Sequence, residues 1–300
     1  MRNYHASGAA PVGGIVMLLI LAILGGTVIG GILWAIEHFT NFYLVVLFPL
    51  VAGAILGGIL SFAVRSSKIR SPIIAGLFGL AAGLIAYGVY HFAGYYVTFR
   101  GDVREVFEEN GQKAVTDALI DEFTDEILLD EVGTAGFMGY MNLMAREGIT
   151  INRTVSSSSS GINLQGTGAW VYWGIEVAAV ALIAAFMAGR AAGEPFDENA
   201  GVWYGKPQLL AVTDNKSRKE LTNALKNGDF QGAGRLLTTQ GLPYPRVEVY
   251  TRRSEDPTAD VYVQVNATQR QNRTSVAQRG VVSANELAML ERAMGSGATM

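Results

Sequence analysis

Glu176 and His91 are the residues of this chain whose type and position best suit chemistry. Each interrupts a long apolar run, Glu176 in Ala169–Gly189 and His91 in Pro72–Val97. An ionisable side chain in such a run is costly unless it meets a partner or a wet cavity. Glu176 follows the start of its run by two helical turns, and His91 precedes the end of its own by nearly as much. At a rise of 1.5 Å per residue, both fall roughly 9–11 Å inside the same end of their helices. Glu37 and His38 close the first apolar run at that end, so polar groups from three helices approach one level. A His91–Glu176 pair with Glu37 and His38 as neighbours has three possible uses: a hydrogen bond joining two helices, a relay for protons or ions, or a divalent-metal site. The metal reading lacks the i,i+4 ligand spacing of a His-Glu-x-x-His helix. Protonation of Glu176 would relieve the same cost without His91.

The elements that must position these groups are four apolar runs, Val12–Ile36, Asn41–Val64, Pro72–Val97 and Ala169–Gly189. Each reaches the roughly 20 residues that a helix needs to cross a hydrocarbon layer of about 30 Å. The expected fold is therefore an α-helical polytopic membrane protein with four transmembrane helices, a helical outer domain and a small α+β C-terminal domain. The first run is too long for a signal-peptide core, and Trp34, Glu37 and His38 follow it instead of a small-residue cleavage site, so it is read as a retained helix. The short loop Arg65-Ser-Ser-Lys-Ile-Arg70 is basic, and such loops stay cytoplasmic. Counting from it places both termini inside and residues 98–168 outside. Trp34, Phe39, Phe42 and Tyr43, then Tyr87, Tyr90, Tyr95 and Tyr96, then Trp170, Tyr172 and Trp173 all fall at the outer interface, as an aromatic belt would. Gly26-x3-Gly30, Gly53-x3-Gly57, Gly79-x3-Gly83 and Ala185-x3-Gly189 put small residues on one face of every helix. Close backbone approach is what holds helices together in lipid, so a tight bundle is expected, with a surplus face open to self-association.

The two flanking domains differ in charge. Residues 98–168 hold 12 acidic and 5 basic side chains, whereas residues 190–300 hold 12 and 14. In 112–132, Val115, Leu119, Phe123 and Ile127 recur at helical spacing, and Gly133 separates them from a second segment, Thr134–Glu147, with Phe137, Tyr140, Met141 and Met144. The pattern predicts a helical hairpin whose apolar stripe is covered by the membrane surface or by a neighbouring subunit, with a solvated acidic face. Ser156–Ser160 reads as a flexible stretch. In residues 190–300, Ser217-x-x-Glu220 and Ser283-x-x-Glu286 are capping-box signatures. Between them Arg246–Arg253, Asp260–Thr268 and Arg273–Val282 alternate as strands. Two short helices, a three-stranded meander and a final helix are expected. Arg252, Arg253, Arg270, Arg273 and Arg279 make the sheet region basic, which suits anionic headgroups or plain solvation.

Catalytic and cofactor chemistry find little support. The chain has no cysteine, which removes disulfides, thiolate metal sites and cysteine nucleophiles. No histidine follows His91, and Gly201-x3-Gly205-Lys206-Pro207 lacks the spacing of a phosphate loop. No catalytic residue, metal site or cofactor is assigned, and the near-neutral charge gives no reason to expect nucleic acid. The expected partners are the lipid bilayer and a second copy or another membrane protein.

The run Gly136-Phe-Met-Gly-Tyr140-Met-Asn-Leu-Met-Ala-Arg146-Glu-Gly148-Ile, continuing to Gly166-Thr-Gly-Ala-Trp-Val-Tyr172-Trp173-Gly-Ile-Glu176, resembles a group of uncharacterised bacterial four-helix integral membrane proteins with a C-terminal cytosolic domain. Glu194-Pro195-Phe196 followed by Trp203-Tyr204 extends the likeness. The resemblance implies the same layout and a bacterial inner membrane. It also implies cysteine pairs, as in a zinc ribbon, where this chain has Asp197-Glu-Asn-Ala200 and Arg252-Arg-Ser-Glu-Asp256, so this domain is expected to hold together by apolar packing. The functional expectation is a non-enzymatic membrane scaffold, or a subunit of a membrane assembly, with the cytosolic domain as its partner-binding module. The alternative is a small oligomeric channel or transporter that uses His91 and Glu176.

Overall fold

The computed structural model describes residues 1–40, 47–111, 115–151, 162–256, 259–269 and 273–296. The beginning of the second apolar run with Phe42 and Tyr43, the serine stretch 156–160 with Ser158, and Arg270 lie outside the described residues. The chain forms two compact units, residues 9–192 and residues 1–8 with 193–300.

The chain opens with β1 (Arg2–Asn3), which belongs to the second unit. The first unit then runs through α1 (Val12–Thr40), α2 (Leu47–Ser66), α3 (Pro72–Ala93), a π-helical stretch at Gly94–Phe99, α4 (Arg100–Glu109), α5 (Asp117–Val132), α6 (Gly136–Glu147), the hairpin β2 (Ile149–Ile151) with β3 (Ile162–Leu164), and α7 (Thr167–Ala192). Four helices are long and apolar enough to cross a membrane: α1, α2, α7 and the continuous helix Pro72–Glu109. That last helix corrects the expected end at Val97. Gly94 keeps right-handed helical dihedrals, so the backbone absorbs one wide turn and continues into α4 instead of breaking. At its start, Ser71 Oγ accepts from Ile74 N at 3.5 Å and Pro72 occupies the first turn, where a missing N–H is harmless.

α3 packs on α1 and α7, and α2 packs on α7. The small-residue motifs make these contacts. A Cβ on Gly26 would lie 2.8 Å from the Ala82 carbonyl oxygen, and one on Gly30 would strike that of Ala86. Gly53 faces Val180, Gly57 faces Met187, Gly79 faces Ala185, Gly83 faces Ala181, and Gly189 faces Pro72. All four expected motifs are thus spent inside the chain, and none of them supplies a surplus face for self-association. Leu18, Leu56, Leu60, Val64 and Ile69 fill the centre without exposure, while Val16, Leu24, Phe62, Leu84 and Phe186 point outward. Helices apolar inside and out are what a lipid surround requires.

α5 and α6 form the expected hairpin. Gly133 closes α5 at φ 70°, and Asp125 Oδ1 accepts from Gly136 N at 2.9 Å. The α6 part of its apolar stripe is covered within the chain, while Leu119 and Phe123 of α5 remain exposed. Met141, Ala145, Phe137, Tyr140 and Met144 pack with Tyr87, Ala169 and Trp173 of the chain's own α3 and α7. The acidic face is partly paired, through Arg100–Asp121, Arg104–Asp117 and Arg146–Glu131. The β2–β3 hairpin was not anticipated.

The second unit contains β4 (Phe196–Asp197), β5 (Val202–Trp203), β6 (Gln208–Asp214), α8 (Arg218–Asn227), α9 (Phe230–Arg235), β7 (Arg246–Arg252), β8 (Val261–Thr268), β9 (Thr274–Val282) and α10 (Ala284–Ser296). The predicted meander is β7–β8–β9, but the antiparallel sheet has five strands in the order β1-β9-β8-β7-β6. β1 joins the edge of β9, with Arg2 opposite Val281 and Asn3 opposite Gly280. Arg2 also pairs with Asp260 at 2.7 Å, and the Met1 ammonium donates to the Leu225 carbonyl at 2.6 Å. The domain expected over 190–300 therefore takes in residues 1–8 as well. Leu221, Leu225, Phe230, Val247, Val249, Val263, Val265, Leu287 and Leu290 form its apolar core.

The second capping box forms, with Ser283 N donating to Glu286 Oε2 at 2.7 Å and Glu286 N donating to Ser283 Oγ at 3.3 Å. The first does not. Ser217 makes no side-chain cap, because a 3-10 turn capped by Asp214 leads into α8. Of the arginines read as basic surface, Arg252 pairs with Glu194 and Arg253 with Glu291.

Candidate functional site

A cavity of about 360 Å³ lies where the ends of α1 and α7 meet α3 beneath α6. Glu37, Tyr90, His91, Tyr172, Trp173 and Glu176 line it from the helices, and Tyr140, Met144 and Glu147 close it from α6. Glu176 is only 4% exposed. Tyr87 OH donates to its Oε2 at 2.7 Å, and Tyr172 OH donates to Oε1. Tyr90 OH donates to Glu37 Oε2. Two carboxylates thus sit in a largely apolar bundle with phenolic donors on them, as burial of a charge demands.

The expected group of four divides. Glu37, His91 and Glu176 share the cavity wall, but no hydrogen bond or ion pair joins His91 to Glu176. The reason is register. α3 and α7 run antiparallel, and the α3 residue level with the Glu176 carboxylate is Tyr87, one turn before His91. Tyr172 adds a second donor from the turn before Glu176 on α7. The His91 ring instead makes edge contacts with Tyr87, Tyr90 and Trp173 at centroid distances of 4.6, 4.8 and 5.4 Å. Its Nε2 is buried and has no hydrogen-bond partner among the described residues. His38 is not among the residues that line the cavity; it stacks on Trp34 at 5.1 Å with Nδ1 3.2 Å from Thr98 Oγ1.

The reading of the sequence placed Tyr87, Tyr90 and Tyr172 in an interfacial belt and missed them as donors. The spacings Tyr172-x3-Glu176 and Tyr87-x3-His91 carried the signal, since i,i+4 residues face one another on a helix. Tyr140 reports the field in the cavity from outside the spanning helices. Burial first, and then the charges of Glu37, Glu147 and Asp102, push its phenol up to about 12. No lysine or arginine is among the described residues that line the cavity. Among the described residues, no three His, Asp or Glu side chains stand close enough to hold a metal ion. Compared with known protein families, curated proteins and solved structures, the chain finds no match.

Proposed function

We propose that this chain is a non-enzymatic, multi-pass membrane subunit that binds a small ligand in the chamber at the outer end of its helix bundle. The observation that carries this reading is the chamber, whose carboxylates and imidazole stand in an otherwise apolar bundle. Beyond it, Leu18, Leu56, Leu60 and Val64 pack without exposure, which favours a binding pocket over an open path. The sheet unit serves as the partner-binding module on the cytoplasmic face. The basic 65–70 loop supports that orientation. β1 supports both termini lying on one side, because residues 1–8 and 193–300 share one sheet and an even number of crossings returns the chain to the side it started from. The likeness to bacterial four-helix proteins favours an inner membrane.

Accessibility of the chamber is the test. With no native cysteine, Met144→Cys is the only thiol in its variant, and a small neutral membrane-impermeant reagent applied to intact cells should modify it. Protection of Met144→Cys in folded, membrane-inserted protein would remove the chamber as an outward-facing site.

A channel or transporter is the second reading, favoured by the placement of Glu37, His91 and Glu176 on one wall. Purified protein in liposomes should show proton and cation flux no greater than empty vesicles. Flux that Glu176→Gln abolishes would put transport first.

A further inference from the structure

In the sheet unit Arg2, Arg246, Arg252 and Arg253 each meet a carboxylate, those of Asp260, Glu248, Glu194 and Glu291. Arg235 and Arg292 do not. Among the described residues neither side chain has an ion pair or a hydrogen bond, and both line one groove of about 280 Å³ between α9 and α10. The acids nearest to them in sequence are committed elsewhere. Asp229 caps α9 by accepting from Gly232 N at 2.8 Å. Glu286 accepts from Ser283 N at the start of α10, and Glu291 turns to Arg253. Two guanidiniums thus share a groove with no carboxylate among its described lining residues, a repulsion that an incoming anion relieves.

Helix packing makes the groove. A Cβ on Gly234 would lie 2.5 Å from the Leu290 carbonyl oxygen and 2.6 Å from Ala293 Cβ, so α9 and α10 meet closely over a floor without bulk. Gln231 and Arg235 stand at i,i+4 on α9, and Met289 and Arg292 at i,i+3 on α10, spacings that put each pair on one helix face. The guanidinium fork takes a carboxylate through two parallel N–H bonds. Met289 is 47% exposed, an adaptable apolar contact beside those charges. Anionic lipid is the weaker occupant. Clusters of roughly four to eight cations hold a segment to an anionic bilayer, whereas the described lining of this groove supplies Arg235 and Arg292, in a concavity that a flat headgroup layer fills poorly.

We infer that the groove between α9 and α10 docks an acidic peptide segment of a partner protein, with Arg235 and Arg292 each taking a carboxylate, Gln231 donating from its amide and Met289 covering an apolar side chain. The inference names the partner class for the sheet unit and rests on the reading of that unit as a partner-binding module. The contacts are exposed, so the affinity is modest and falls as salt rises.

The full chain in phosphatidylcholine nanodiscs is titrated with an acetylated, amidated pentapeptide of alternating glutamate and leucine, followed by ligand-observed NMR. A second peptide carries glutamine in place of glutamate. The glutamate peptide should bind saturably, and the glutamine peptide about tenfold more weakly or less. Arg235→Gln and Arg292→Gln should each weaken the glutamate peptide about threefold, the measure of an exposed ion pair, and together about tenfold. Arg218→Gln removes the same charge from α8 and should leave the affinity unchanged. All three arginines are exposed, so none of these variants disturbs the core. No saturable binding, equal binding of the glutamine peptide, or an equal loss in Arg218→Gln overturns the inference. Displacement of the peptide by an equal concentration of glycerophosphoglycerol, the soluble headgroup of an anionic lipid, overturns it in favour of lipid. Benzophenone side chains introduced in cells at Met289 and at Val276, an exposed residue of β9, separate the groove from the module. Protein adducts from Met289 that the double arginine variant abolishes support the groove, and adducts that persist in that variant overturn it. Adducts from Val276 alone remove the groove and leave the module; adducts from neither position remove the module as well.

Discussion

At the scale of single residues, two buried carboxylates show how hydrogen-bond donors decide whether a charge is tolerated. Glu176 is held by Tyr87 and Tyr172. Tyr87→Phe removes one donor and should lower the melting temperature of purified protein, with a loss of about 1–3 kcal/mol. Combined with Glu176→Gln, the cost should fall short of the sum, because the partners are in contact. Strict additivity in that cycle would mean that the bond does not support the bundle. Glu248 is the counterpart in the sheet unit. Arg246 Nε and Nη2 donate to its Oε1 at 2.8 and 2.7 Å, Thr268 donates to Oε2 at 3.0 Å, and Tyr250 donates at 3.2 Å. Burial raises this carboxyl, but the hydrogen bonds from Arg246, Thr268 and Tyr250 outweigh it and hold the group below its usual value of 4.5. A carboxylate depressed on folding contributes stability above its unfolded pKa and loses it as pH falls through the folded value. Glu248→Gln should therefore destabilise the protein at neutral pH by about 1–3 kcal/mol. The gap between variant and parent should close in acid, below the ordinary carboxylate range. A gap that stays constant from neutral to acid pH would assign the loss to packing.

At the scale of elements, glycines decide how closely helices approach, and their roles can be told apart. A Cβ on Gly79 would stand 2.5 Å from Ala185 Cα in α7, so Gly79→Ala must push α3 and α7 apart. Overpacking of this kind costs about 1–3 kcal/mol. Gly88 lies on the same helix with nothing within 4 Å of such a Cβ, and Gly88→Ala should be neutral or stabilise by about 0.5–1 kcal/mol through helix propensity. Equal melting temperatures for the two variants would remove the close-approach argument. The caps divide in the same way. Ser283→Ala should cost about 1 kcal/mol because its box is formed, whereas Ser217→Ala should cost little. The motif Ser-x-x-Glu is identical in both places. Only the 3-10 turn ahead of α8, imposed by Asp214, separates a working cap from an idle one.

At the scale of the whole molecule, the N-terminal residues complete a domain that is otherwise C-terminal. A fragment of residues 193–300 leaves the β9 edge without Arg2 and Asn3 and removes the Arg2–Asp260 pair. It should melt below the same fragment supplied with a peptide of residues 1–8, and that peptide should raise the midpoint in a concentration-dependent way. No response to the peptide would show that β1 adds nothing. Topology belongs to this scale too. Single cysteines at Ser7, Ser67 and Ser254 should be protected from an impermeant thiol reagent in intact cells, and one at Ser158 should react. Labelling of Ser254→Cys with Ser158→Cys silent would reverse the orientation.

The number of long apolar helices, the α5–α6 hairpin, the β7–β9 meander and the second capping box were legible in the sequence because each follows from local periodicity or a fixed spacing of a few residues. The level shared by Glu37, His91 and Glu176 was legible for the same reason, since depth along a helix is a count of residues. What faces what was not. Rotation and register between antiparallel helices are set by which small residues let backbones meet, and those contacts put Tyr87 rather than His91 on Glu176. The edge strand β1 escaped notice because a two-residue strand has no period, and the edge strand β6 because pairing with a partner far along the chain leaves no local trace. Periodicity records which side of an element is apolar; only the tertiary structure chooses the neighbour that covers it, and here it chose α3 and α7 for the stripe of α6.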